Sequence, residues 1–128
     1  MPGNPADNLI SYALLRGDLA MPPGKACAQA GHAFCATLAE AIAAGWLAAP
    51  DARQTAITRI VLIARDADAL LYTEARARAA GLPCALFTDK DHVCPPDFDG
   101  RPVLTALGVG PCRREAARPL MRRYKCLR

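Results

Sequence analysis

The chain has 128 residues, 52% of them apolar and 22% charged, with a formal net charge of +4. That length gives one domain, residues 1–128, with a core of its own and no dependence on staples, and the net charge, though modest, gives partial support for an RNA partner. Cys27, Cys35, Cys84, Cys94, Cys112 and Cys126 are far apart with no CxxC pair, so they read as reduced thiols; His92 with Cys94 lacks a second ligand pair, and no metal is expected.

Met1 to Asn8 is polar and turn-rich without an apolar signal core, and the apolar stretch 41–49, interrupted by Gly45, is too short to span a bilayer; a cytoplasmic location is expected. Leu9–Leu15 reads as a buried strand and Pro23–Ala44 as a helix, followed by a Pro/Asp/Arg connection over 49–54. Thr58–Ala64 is a β-branched strand. Asp66–Ala80 is a helix with Asp66 as N-cap and Gly81 as its stop. Cys84–Thr88 is a third strand ending at Asp89, and a loop stopped by Pro95 and Pro96 runs over 90–100. Val103–Val109 is a fourth strand. A last helix begins near Pro111, with Pro119 kinking or ending it, and Tyr124–Leu127 can add an edge strand.

Two successive strand-helix-strand units imply parallel strands with right-handed crossovers. The expected fold is an α/β, three-layer α/β/α sandwich around a small mixed, mostly parallel sheet of four to five strands. The C-terminal ends of its first three strands then share one rim, where open α/β sheets place their sites. Arg16 and Asp18 leave the first strand there, Asp89 leaves the third, and Thr105 lies at that rim if the fourth strand runs back antiparallel. For Asp18 and Asp89 the alternative is that each caps a turn.

Lys25 is the oddity, a cation in the first turn of a helix whose N-terminus already carries partial positive charge. Two positive sources aimed at one spot make an anion or oxyanion site, against the alternative of a solvated surface lysine. Gln29 and His32 share its helical face at i+4 and i+7. Phe34 and Trp46 read as core, and Ala26, Ala30, Gly31 and Ala33 allow close helix packing. Gly108 and Gly110 lack the third glycine of a dinucleotide fingerprint. Arg113, Arg114, Arg118, Arg122, Arg123, Lys125 and Arg128 concentrate positive charge near the C-terminus, either for phosphate or as a solvated face. Aromatics are too scarce for base stacking to be the main binding mode.

Arg16-Gly17-Asp18-Leu19, Met21, Gly24-Lys25, Ala28-Gln29 and His32-Ala33 resemble the opening motif of the type-2 peptidyl-tRNA hydrolases. Ala80-Gly81-Leu82-Pro83 resembles that family's entry to its third strand, Asp89 stands where the family has an aspartate, and Thr105 to Pro111 resembles its T-x-L-G-[IV]-G-P segment. The resemblance covers nearly the whole chain, read as a diverged bacterial member. It implies metal-independent hydrolysis, without cofactor, of the ester joining a peptidyl group or N-blocked amino acid to tRNA. Lys25 would hold the terminal phosphate or ribose and stabilise an oxyanion, Asp89 would position water or act as base, and Thr105 would orient substrate or water. Arg16, Asp18, Gln29 and His32 would contact substrate, His32 being equally readable as a packing residue. A homodimer is also implied.

The departure follows Asp89. Where the family continues Asp-Ala-Gly-x-Thr, this chain reads Asp89-Lys90-Asp91-His92-Val93, losing the glycine and the hydroxyl; Asp91 and His92 are the candidates to replace the hydroxyl. Cys94 to Gly100 then adds acidic groups. Two other readings follow, a non-catalytic tRNA or anion-binding module of the same fold and a hydrolase of another acyl ester or amide.

Overall fold

In the computed structural model, residues 9–49, 57–90 and 93–128 are described. Asp91 and His92, the N-terminal segment 1–8 and most of the connection after Ala49 lie outside the described residues. The apolar runs form strands β1 (Leu9–Arg16), β2 (Thr58–Ala64), β3 (Cys84–Asp89) and β6 (Val103–Arg113), with a short β7 (Lys125–Cys126) at one edge. Helices α1 (Pro23–Ala43), α2 (Ala67–Ala79) and α3 (Arg114–Met121) connect them. Asp66 caps α2 by accepting from the Ala69 N–H at 3.0 Å, and Gly81 ends it at φ +73°.

The five strands run in the order β3-β6-β1-β2-β7. β1, β2 and β3 point the same way, so their C-terminal ends do share one rim. β6, however, inserts between β3 and β1 and is antiparallel to both, and β7 is antiparallel to β2. By pairing, then, β1–β2 alone is parallel among the described residues, which corrects the expectation of a mostly parallel sheet. The reason is the connection into β6. It returns across the rim through a small ribbon, β4 (Val93–Cys94) paired with β5 (Phe98–Asp99), instead of crossing over through a helix, and a direct return produces an antiparallel neighbour.

The last helix also starts later than expected. β6 continues through Pro111 to Arg113, and Pro111 is fully buried within it. Gly110, at φ +102°, carries a kink between the two stretches of β1–β6 pairing and donates its N–H to the Pro83 carbonyl at 2.8 Å. A side chain there would collide with the Ile10 carbonyl at 2.5 Å. Pro119 is the sixth residue of α3, which ends two residues later.

The sheet separates two apolar layers. On one side α2 and α3 cover Ile10, Leu14, Leu62, Leu107 and Val109 with Leu70, Leu120 and Met121. On the other, α1 lies against Ala13, Leu15 and Ala106 with its own Ala26, Ala30 and Ala33, and Phe34 packs at that edge. Trp46 packs where α1 ends, beside Leu9, Ala41 and Ile57. Gly108 makes the approach of α1 possible, because a Cβ there would overlap the Ala33 carbonyl and come within 2.8 Å of Thr37. All six cysteines are free, and among the described residues no helix is long and apolar enough to cross a membrane.

Candidate active site

The helix that carries the site starts poorly by local standards. Pro22 and Pro23 set the backbone, but no side chain caps the N-terminus and its first turn holds no acid. Lys25 then adds like charge to the exposed amides. The compensation comes from across the sheet: Lys25 Nζ donates to Asp89 Oδ2 at 2.5 Å, with side chains only 9% and 14% exposed. Asp89 thus supplies the negative charge that the sequence of α1 omits. Phe98, 1% exposed in β5, places its ring face beneath the same ammonium, 4.0 Å from Nζ to the centroid.

One helical turn further on, Gln29 accepts the Thr105 hydroxyl at 2.6 Å, and both side chains are buried. The register explains how Thr105 reaches α1. Phe87 pairs with Ala106 and Thr88 with Leu104, so Thr105 is the extra residue of a β-bulge. A bulge re-aims side chains, and here Thr105 and its neighbour Ala106 both face α1.

At the end of β1, Arg16 grips Asp18 through two bonds of 3.0 and 2.7 Å and donates from Nη1 to the Leu104 carbonyl at 3.0 Å. Its hydrogen bond holds the Asp18 carboxyl below the usual carboxylate range. The pair ties the β1–α1 turn to β6. Asp97 does the same from the ribbon, accepting the Ala20 N–H at 2.5 Å. His32 is exposed and stacks on Phe87, ring centroids 4.5 Å apart.

The structure therefore joins Lys25 with Asp89, Gln29 with Thr105 and Arg16 with Asp18, all at the rim or the first turns of α1. Thr105 has no exposed surface and acts on Gln29. Among the described residues no three potential metal ligands gather.

The peptidyl-tRNA hydrolase PTH2 family model matches residues 9–127. A peptidyl-tRNA hydrolase of Pyrobaculum aerophilum is 39% identical over 106 residues, covering 79% of this chain and 82% of that protein. The chain belongs to the peptidyl-tRNA hydrolase PTH2 family. Within that family frame, two features escaped sequence reasoning. Phe98 sits in a loop whose sequence departs from the family pattern, and only its isolated aromatic ring among Asp97, Asp99 and prolines hinted at burial. Asp97, one of the acidic groups added by the segment 94–100, accepts a backbone amide, and Asp99 is paired with Arg101 at 2.6 Å.

Two clefts lie to the side of the Lys25–Asp89 pair. One of about 780 Å³ is lined by Arg65, Tyr72 and Arg123 on the α2 side of β7, and one of about 460 Å³ by Arg16, Met21 and Arg128 on the α1 side.

Proposed function

We propose that this chain hydrolyses the ester between a peptidyl group, or an N-blocked amino acid, and the terminal ribose of tRNA, with Lys25 and Asp89 as its catalytic residues. The observation that carries the assignment of roles is the nearly desolvated Lys25–Asp89 contact at the sheet rim. An ammonium has three donors, so Lys25 can keep Asp89 and still offer an N–H to the ester carbonyl oxygen. Asp89 takes a proton from water as the water oxygen attacks the carbonyl carbon. Charge develops on the carbonyl oxygen, where the Lys25 ammonium meets it at low local dielectric. When the tetrahedral species collapses, the bond to the ribose oxygen breaks, and that oxygen takes the proton back from Asp89. The products are the free acid and tRNA.

Gln29 and Thr105 act as positioning residues one turn below, while Arg16 and Asp18 fix the turn over which substrate enters. His32, stacked and exposed, serves as a contact surface. A bacterial source and homodimeric assembly belong to the same proposal and rest on the resemblance read from the sequence; a cytoplasmic location belongs to it too and rests on the polar segment 1–8 and the short apolar stretch 41–49.

The test is release of N-acetyl amino acid from N-acetylated aminoacyl-tRNA. Lys25→Ala and Asp89→Asn should each lower kcat by at least tenfold, in line with loss of one oxyanion donor or one general base. Circular dichroism should show both variants folded at the assay temperature. Activity like wild type in both variants overturns the roles, and binding of tRNA without cleavage by the wild type would favour the non-catalytic module.

A further inference from the structure

The basic residues that the sequence gathers at the C-terminus do not form one patch. Arg113 ends β6 opposite Leu9, at the pole away from the catalytic rim, and Arg114 bonds Thr58 at the start of β2. α3 then carries the chain back to the rim. Lys125 enters β7 opposite Ile63, one residue from Ala64, which is level with Arg16. The cations therefore divide between the two ends of the sheet, and only the later ones reach the rim.

At the rim the two sides of the catalytic pair differ. Toward the β4–β5 ribbon, the described cations Lys90 and Arg101 are matched in number by the described acids Asp97 and Asp99, and Arg101 is paired with Asp99. Toward β7, Arg16, Arg65, Arg123, Lys125 and Arg128 face Asp18, Asp66 and Asp68. Two of those acids are paired with two of these cations, Asp18 with Arg16 and Asp66 with Arg65, which leaves Arg123, Lys125 and Arg128 against Asp68. Lys125 lines both clefts that flank β7. Between Arg123 and Arg76 stands Tyr72, 52% exposed, with guanidinium carbons 5.3 and 5.7 Å from its ring centre. An exposed ring with cations beside it suits a nucleobase with its phosphates.

We propose that the β7 edge, with Arg123 and Lys125 at its centre and Tyr72 beside them, is the surface on which the tRNA strand runs away from the ester. This rests on the hydrolase reading above. From Asp89 at the end of β3 to β7 is four strand spacings, roughly 20 Å, and a stacked strand places about six phosphates along such a distance. The polyanion leaves the catalytic pair on the side where cations outnumber acids, and the peptidyl group is left on the side of the ribbon.

The experiment compares full-length N-acetylated aminoacyl-tRNA with the same N-acetylated amino acid esterified to a CCA trinucleotide. For Arg123→Ala/Lys125→Ala, the preference in kcat/KM for the full-length substrate should fall at least fivefold. The log–log salt dependence of tRNA binding should become shallower by about two. Arg113→Ala/Arg114→Ala removes the same charge at the other pole and should leave both quantities within twofold of wild type. Equal losses on the two substrates, an unchanged salt slope, or the same effect from the distal pair would overturn the proposal. Filter binding of deacylated tRNA keeps it separable from the catalytic reading. A wild type that cleaves neither substrate sinks the hydrolase, while the surface still stands or falls on whether the Arg123/Lys125 variant alone weakens that binding.

Discussion

The two faces of the sheet are built from the same strands and do different jobs. Beneath α2 and α3 the residues are large, with Leu14, Leu62, Leu70, Leu107 and Met121 filling volume. Beneath α1 they are small, and the helix backbone comes down almost onto β6 at Gly108. A thick layer stabilises by area removed from water, whereas a thin one fixes distance. The side chains of the site hang from the thin layer, since Lys25 and Gln29 are on α1 while Asp89 and Thr105 are on the strands they meet.

Adjacent residues of β6 allow this difference to be broken cleanly. Leu107→Ala empties a fully buried position on the thick face and should cost about 3 kcal/mol, measured by urea unfolding, with kcat within twofold at a temperature where the variant is folded. Gly108→Ala adds one methyl on the thin face. It should cost about 2 kcal/mol and also lower kcat about tenfold, because α1 must rise and carry Lys25 away from Asp89. If both variants lose stability without loss of kcat, the thin face is not what sets the geometry.

Phe98 sharpens the same point from the ribbon side. Phe98→Leu keeps an apolar group of similar size but removes the ring face under the Lys25 ammonium, an interaction on the order of 1 kcal/mol when partly desolvated. A fall of about fivefold in kcat, with KM changed less than twofold, is the expected outcome. Equal changes in both constants would make Phe98 a wall of the site and nothing more.

Most of the frame was legible in the sequence because periodicity and punctuation report local structure. Thr58–Ala64 matched to the residue, Asp66 and Gly81 bounded α2 as their chemistry requires, and the charge conflict at Lys25 pointed to the rim. What stayed hidden depends on partners distant in the chain. The placement of β6 between β3 and β1 is decided by the ribbon, the aim of Thr105 by an extra residue in the ladder, and the burial of Pro111 by a kink at Gly110. A proline after glycine reads locally as a helix start, and nothing within three residues of it says that a neighbouring strand continues alongside. The C-terminal basic run was visible as composition, yet its division between two poles follows only from the direction of α3.

The cysteines give the smallest and most discriminating contrast between the faces. Cys27 and Cys35 are exposed on α1, whereas Cys84 and Cys112 are buried on the α2 and α3 side. Burial pushes the Cys112 thiol up to about 11 and raises that of Cys84 as well. An unfolded chain releases these protons near the ordinary thiol value of about 8.5, so between roughly pH 8.5 and 11 the native state binds more protons than the unfolded one. Stability must then fall as pH rises through that window. Urea midpoints taken between pH 8 and 10.5 should decline, and the slope should become shallower in Cys112→Ala whatever its absolute stability. Iodoacetamide at pH 8 on the folded protein should label Cys27 and Cys35 while leaving Cys84 and Cys112 untouched. Labelling of Cys112 at a rate like that of Cys35 would mean that the thick face opens as readily as the surface of α1, and the contrast between the two layers would be lost.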